Sequence, residues 1–185
     1  NLFAEPIEAG AEDADLILIE TMSDCYELNA AVHAAKEHSN LPICATVTLD
    51  RNGKLLTGGD IESVVALLEG LRVDAIGLNC GFGPAEMLPF FDRMRAVSSK
   101  PLILTPNAGL PRQEGDHFYY DVDPEAFALL MRDAIPRGAQ ALGGCCGTTP
   151  RTYPGACPCL WWPQSPDDRT QETYSRVELC SMRSL

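Results

Sequence analysis

Short apolar runs recur at residues 14–19, 42–49, 74–78, 101–105 and 139–142, with starts roughly thirty residues apart. Each is bounded by polar or turn-forming residues and is short for a helix, so each predicts a buried strand. Between them, apolar residues at three- and four-residue spacing predict helices over 24–38, 60–71, 84–97 and 124–135. Two helix starts are marked chemically. Gly83-Pro84 and Asp123-Pro124 place proline in the first turn, where its missing N–H costs nothing, and Asp123 is a natural N-cap. Near-continuous apolar strands alternating with amphipathic helices imply a parallel sheet covered by helices, an α/β fold.

Doubly wound sheets and (β/α)8 barrels share this alternation. The chemistry-bearing residues favour the barrel. Glu20, Cys80, Asn107 and Cys145 fall just past the carboxyl ends of different predicted strands, which is how a barrel assembles an active site from its βα loops. Neither a Gly-x-Gly-x-x-Gly turn nor a Gly-x-x-x-x-Gly-Lys-Ser/Thr loop is present, which removes the main argument for a nucleotide-binding sheet. Five strands can be counted, where a closed barrel has eight and runs ~250 residues. The composition changes after Pro150. Trp161, Trp162, Cys157, Cys159 and Cys180 all lie there, and prolines at 154, 158, 163 and 166 forbid a helix before residue 167. The expected division is a partial barrel domain over 1–150 and an irregular tail over 151–185, read as foreign or frameshifted sequence.

With 185 residues, 45% of them hydrophobic, the chain has enough apolar material for one substantial core. Its 26 acidic residues outweigh 14 basic ones, giving a net charge of -12 that repels phosphate backbones and anionic lipid. Nucleic acid and membrane surfaces are therefore poor partners. No apolar run approaches the ~20 residues of a membrane-spanning helix. The chain opens Asn1-Leu2-Phe3 without methionine, which leaves room for a lost upstream targeting segment. Of eight cysteines only Cys145 and Cys146 are adjacent, and a repeating core needs no covalent staples, so reduced thiols and a cytoplasmic protein are expected.

Candidate chemistry concentrates in two turns, Gly77-Leu78-Asn79-Cys80-Gly81 and Gly143-Gly144-Cys145-Cys146-Gly147-Thr148-Thr149-Pro150. Three thiols delivered to the ends of two parallel strands suit a zinc ion with one open position. A buried cysteine pair or a strained redox disulfide is the blander reading of the vicinal pair. Cys25 and Cys44 read as core or helix-face residues. His33 and His38 are five apart on one helix, so they do not share a face for metal, and neither they nor His117 are assigned to the site. Phe82, Phe90 and Phe91 suit a helix packed on the sheet.

These two motifs, together with Pro106-Asn107-Ala108-Gly109-Leu110-Pro111 between them, resemble the homocysteine-binding domain of the zinc-dependent homocysteine S-methyltransferases. The resemblance covers roughly residues 10–150 and is nearest to the branch that makes methionine with a cobalamin methyl carrier. It implies a (β/α)8 barrel represented here by its last five strands, with Cys80, Cys145 and Cys146 as zinc ligands. It also implies homocysteine as substrate, Glu20 holding the substrate ammonium, and Asn107 orienting the substrate or filling the fourth zinc position. Asn79 is expected to support the ligands from behind. Corrinoid and methyltetrahydrofolate domains or subunits would be the partners. The alternatives are an inactive barrel fragment with residual zinc-thiolate binding, or a relative that takes methyl from betaine or S-methylmethionine. The missing strands also predict that the isolated chain self-associates through open sheet edges and turns over slowly.

The chemistry of three thiolates can be stated independently. A free thiol, with a pKa near ~8.5, is mostly protonated at neutral pH, and the thiolate is the nucleophile. Metal binding removes the proton outright. Three cysteine thiolates more than cancel the charge of a divalent ion, so a fourth sulfur bound there stays electron-rich. Such a sulfur suits displacement at a methyl group better than the site suits hydrolysis, in which the metal activates water.

Overall fold

The computed structural model describes residues 2–115, 117–149 and 152. Their elements are, in chain order, α1 (Ala4–Gly10), β1 (Ile17–Met22), α2 (Cys25–His38), β2 (Ile43–Val47), α3 (Ile61–Gly70), β3 (Ala75–Asn79), α4 (Pro84–Val97), β4 (Leu102–Thr105), β5 (Pro111–Glu114), β6 (His117–Tyr120), α5 (Pro124–Ala134) and β7 (Ala139–Leu142). β1, β2, β3, β4 and β7 form one sheet in that order, with every neighbouring pair parallel. A doubly wound sheet reverses its strand order at a switch point. Here each strand pairs with the next one along, as in a barrel wall, and the antiparallel β5–β6 hairpin is inserted before β7.

Strand residues alternate between two faces. Ile43, Ala45 and Val47 of β2, Ile76 and Leu78 of β3, and Leu102 and Leu104 of β4 join the core with Leu28 and Val32 of α2, Val64 and Leu68 of α3, Phe91 and Met94 of α4, and Phe127 and Met131 of α5. The intervening Cys44, Thr46, Ala75, Gly77, Asn79, Ile103 and Thr105 take the opposite face, which is smaller and more polar. Helices thus bury the apolar face, and the other face is left to chemistry.

The helices begin where capping predicts. Asp24 accepts from the N–H groups of Tyr26 and Glu27, Asp60 from Ser63, and Asp123 from Ala126 at 2.8 Å. Replacing Asp123 with alanine orphans that donor, and the expected result in a urea titration is a loss of about 1 kcal/mol of stability.

Three elements, α1, β5 and β6, lie outside the predicted strands and helices. Helix α1 buries none of its residues, and the β5 strand is exposed throughout, so neither shows an apolar period. The first strand is also displaced, running from Ile17 to Met22 rather than over 14–19. Its start is set by the Ile17 N–H bond to Pro42 O. Its end is carried on by an irregularity between Ile19 and Met22, where Thr21 adopts φ +60°. Glu20 therefore lies within the strand rather than beyond it. Of the expected tail, only Thr152 is described, and Cys157, Cys159, Trp161, Trp162 and Cys180 lie outside the described residues. Among the described residues no helix is long and apolar enough to cross a membrane.

Candidate metal centre

Cys80 directly follows β3, and Cys145 and Cys146 follow β7 after two glycines. Because the strands are parallel, both segments emerge at the same carboxyl edge. The Sγ of Cys146 lies 3.8 Å from that of Cys80 and 3.9 Å from that of Cys145, and all three sulfurs lie within 4.8 Å of one another. Sulfurs bound tetrahedrally at about 2.3 Å from one zinc stand about 3.8 Å apart. Three soft donors at this spacing fit a zinc ion, with a fourth direction left over.

The backbone is shaped to make the cluster. Cys80 itself has φ +60° and is followed by Gly81 at +75°. A left-handed non-glycine residue is strained and persists only where its surroundings hold it. Here the Cys80 N–H bonds Thr105 O at 3.2 Å, and its carbonyl accepts from Phe82 N at 2.8 Å. The vicinal pair is stitched to the loop after β4. Cys145 N donates to Pro106 O at 2.8 Å, Cys146 N to Asn107 Oδ1 at 3.0 Å, and Ala108 N to Cys146 O at 2.9 Å. Within the turn, Thr148 Oγ1 donates to Cys145 O at 2.7 Å. Asn107, almost fully buried, thus spends its amide oxygen on the cysteine turn.

Asn79 is completely buried beside the sulfurs. Its Oδ1 accepts from Thr21 N at 3.1 Å, its Nδ2 donates to Thr21 Oγ1 at 2.6 Å, and the same Nδ2 lies 4.0 Å from Cys145 Sγ. One amide therefore holds the left-handed Thr21 and touches the thiol cluster. Glu20, the neighbour of Thr21, is tied to the cluster by this route. It borders an open, mainly apolar hollow of about 370 Å³ between α1 and β1, and desolvation there raises its carboxyl pKa above the ordinary value.

Burial first, then the neighbouring Cys80 and Cys146, push the Cys145 thiol up to about 12. Burial and Cys80 likewise raise Cys146. Without a cation these thiols are protonated at neutral pH, and a divalent ion reverses that balance. Tyr120, which the sequence did not single out, also belongs here. Its ring lies against Gly147, where an added Cβ would sit 2.2 Å from the ring Cγ, and burial first, then the neighbouring Cys146, push its phenol pKa up. Only the β5–β6 pairing brings it there, and no apolar pattern announces that pairing.

The remaining candidates lie elsewhere. Cys25 opens α2, and Cys44 lies in β2, where burial and Asp74 push its thiol up to about 11. His38 bonds Glu8 at 2.5 Å, and His117 lies in β6.

Comparison with known proteins bears directly on this edge. The methionine synthases of Mycobacterium tuberculosis (strain ATCC 25618 / H37Rv) and Mycobacterium leprae (strain TN) are 37% and 36% identical over 143 residues, 74% of this chain. The chain spans only 12% of the length of each. The oxidized and metallated forms of the homocysteine methyltransferase MmuM from Escherichia coli share the fold at 24% identity, with TM-scores of 0.66 and 0.62. They match 85% and 83% of this chain and 52% and 51% of their own. Residues 1–152 match the family described as homocysteine S-methyltransferase, and with five strands wound as in that fold, the chain belongs to this family.

Proposed function

We propose that residues 1–150 are the homocysteine-binding module of a methionine synthase, transferring a methyl group to the homocysteine thiol with zinc held by Cys80, Cys145 and Cys146. The observation that carries this reading is the meeting of three thiol sulfurs within 4.8 Å at the carboxyl edge. When bound, zinc would keep these sulfurs, and a homocysteine sulfur beside them, as thiolates at neutral pH.

The rest of the site would prepare the substrate. Glu20, raised above its ordinary pKa by desolvation, gains most from a cationic partner, and the homocysteine ammonium supplies one. Asn79 keeps the Glu20–Thr21 segment in register with Cys145, and Asn107 fixes the Cys146 turn from which it would orient the substrate. The methyl group would come from cobalamin carried by a separate domain or subunit, with methyltetrahydrofolate recharging it. The methionine synthase relatives support that donor over betaine or S-methylmethionine. The tail from 151 would stand outside the module, and reduced thiols would suit the cytoplasm.

The test is zinc content by atomic absorption, followed by X-ray absorption at the zinc edge with and without homocysteine. One zinc per chain, with sulfur ligands rising from three to four on adding homocysteine, is the expected result. A first shell without sulfur would end this reading. In the zinc-loaded chain, Glu20→Gln should weaken homocysteine binding by about tenfold or more, the loss of one charge-assisted contact, and leave zinc content unchanged. The folded-state pKa of Glu20 is raised, so its ionisation opposes folding above the unfolded pKa, and that opposition vanishes as pH falls. The variant should therefore be no less stable than the parent at pH 7, which calorimetry checks.

A further inference from the structure

An amino thiol held at both ends needs two grips, and in this chain they come from different strands. Glu20 lies in β1, whereas the clustered thiols follow β3 and β7. Whatever sets the separation between them decides how long a molecule can be held at both.

Glu20 does not sit in a regular stretch of strand. Ile19 pairs with Ala45 and Met22 with Val47, so Glu20 and Thr21 together stand opposite the single residue Thr46. Two residues against one make a β-bulge, which bends the strand and re-aims a side chain. Within it Thr21 takes φ +60°, a conformation that a β-branched residue keeps only under constraint. The constraint is the fully buried Asn79 side chain. Its Oδ1 accepts from Thr21 N at 3.1 Å and its Nδ2 donates to Thr21 Oγ1 at 2.6 Å, a clasp that reaches across β2 from β3 to β1. The same Nδ2 stands 4.0 Å from Cys145 Sγ, and the Asn79 main chain leads directly into Cys80, itself left-handed at φ +60°. One residue therefore ties the bulge that carries Glu20 to both Cys80 and Cys145.

We propose that Asn79 is a positioning residue that measures substrate length: its clasp on Thr21 fixes Glu20 relative to the thiol cluster, so that homocysteine reaches both grips while cysteine, one methylene shorter, reaches only one at a time. The proposal rests on the homocysteine reading. Cysteine carries the same thiol, ammonium and carboxylate, so neither Glu20 nor zinc alone distinguishes it. Only a fixed separation does. A clasped bulge cannot follow the shorter molecule, and an unclasped one can.

The test uses the full zinc-loaded chain and Thr21→Val, which keeps the β-branched shape and removes the hydroxyl that Asn79 grips. Calorimetry measures the Kd of homocysteine, of cysteine and of β-mercaptoethanol, a thiol without ammonium that reads the metal alone. The parent should prefer homocysteine over cysteine by about tenfold or more, the discrimination one methylene commonly allows, and Thr21→Val should lose most of that preference. Zinc content and β-mercaptoethanol affinity should not change, and Thr21→Ser, which retains the hydroxyl, should keep the parent ratio. A clasp that only supported the fold would weaken all three thiols alike. An unchanged homocysteine-to-cysteine ratio in Thr21→Val, or a parent that does not discriminate, overturns the proposal and leaves the homocysteine reading standing. A parent that binds β-mercaptoethanol but neither amino thiol ends both. If Thr21→Val loses zinc, Thr21→Gly decides, because glycine adopts the left-handed conformation without strain. A parent-like ratio in that variant overturns the proposal.

Discussion

Replacing Cys80, Cys145 or Cys146 by alanine, one at a time, is expected to abolish zinc retention, and in an intact enzyme to abolish methyl transfer with it. The three sulfurs stand at the spacing of one tetrahedral centre, so removing any one leaves two protein donors and two open directions. Outer-shell partners of a metal site already cost roughly ten- to a hundredfold in affinity, so loss of a ligand should exceed about a hundredfold. The control is Cys25→Ala, which alters a thiol at the start of α2 away from the cluster and should leave zinc content at the parent value. Atomic absorption after dialysis against a weak chelator separates the outcomes. Full occupancy in Cys146→Ala would show that two thiols suffice and that the vicinal pair serves another purpose.

Gly77→Ala should do comparable damage for a different reason. Gly77 lies in β3 between β2 and β4, and a Cβ there would sit 2.2 Å from Ile103 O and 2.7 Å from Ile103 Cβ. The obstacle is largely the main chain of the neighbouring strand, so no rotamer change relieves it. Ordinary overpacking costs about 1–3 kcal/mol, and a collision that must force hydrogen-bonded strands away from each other should exceed about 3 kcal/mol. Domains of this size have only about 5–15 kcal/mol to lose. Gly70→Ala, at the end of α3 with nothing within 4 Å of the new methyl, should be neutral or mildly stabilising. Equal denaturation midpoints for the two variants would mean that the sheet widens at β3 at little expense. Asn79 ends the same strand and Cys80 directly follows it, so even a slight separation of β3 from β4 should also lower zinc affinity.

The sheet and the thiols were legible because each depends on a local signal. Buried parallel strands are apolar runs, and Asp123-Pro124 marks a helix start by its own chemistry. The order of the motifs, with Cys80 after one strand and Cys145-Cys146 after another, implied convergence once the strands were taken as parallel. What could not be read depends on contacts between distant segments. The left-handed Thr21 is held by the Asn79 side chain, 58 residues away along the chain, so the strand end at Met22 is invisible to a local pattern. Tyr120 reaches Gly147 only through a hairpin whose first strand is exposed and lacks alternation. Asn107 reads from the resemblance as a substrate contact or a fourth zinc ligand. The structure engages its oxygen in the Cys146 turn, a role set by tertiary geometry alone.

The order of strands in the sheet also carries a kinetic consequence. β1, β2 and β3 each pair with the strand that follows, so this stretch of the wall can assemble through successive short-range closures. β7 joins β4 across the stretch that holds the hairpin and α5, the longest excursion between paired strands, with Leu102 meeting Ala139. Loop closure disfavours that step most, and slow steps in folding are those that join distant segments. On that order Cys80 would be in place before the vicinal pair, which would arrive with the last strand. A metal ion met during folding would find one thiol until that final docking, so zinc would capture the finished sheet rather than guide its assembly.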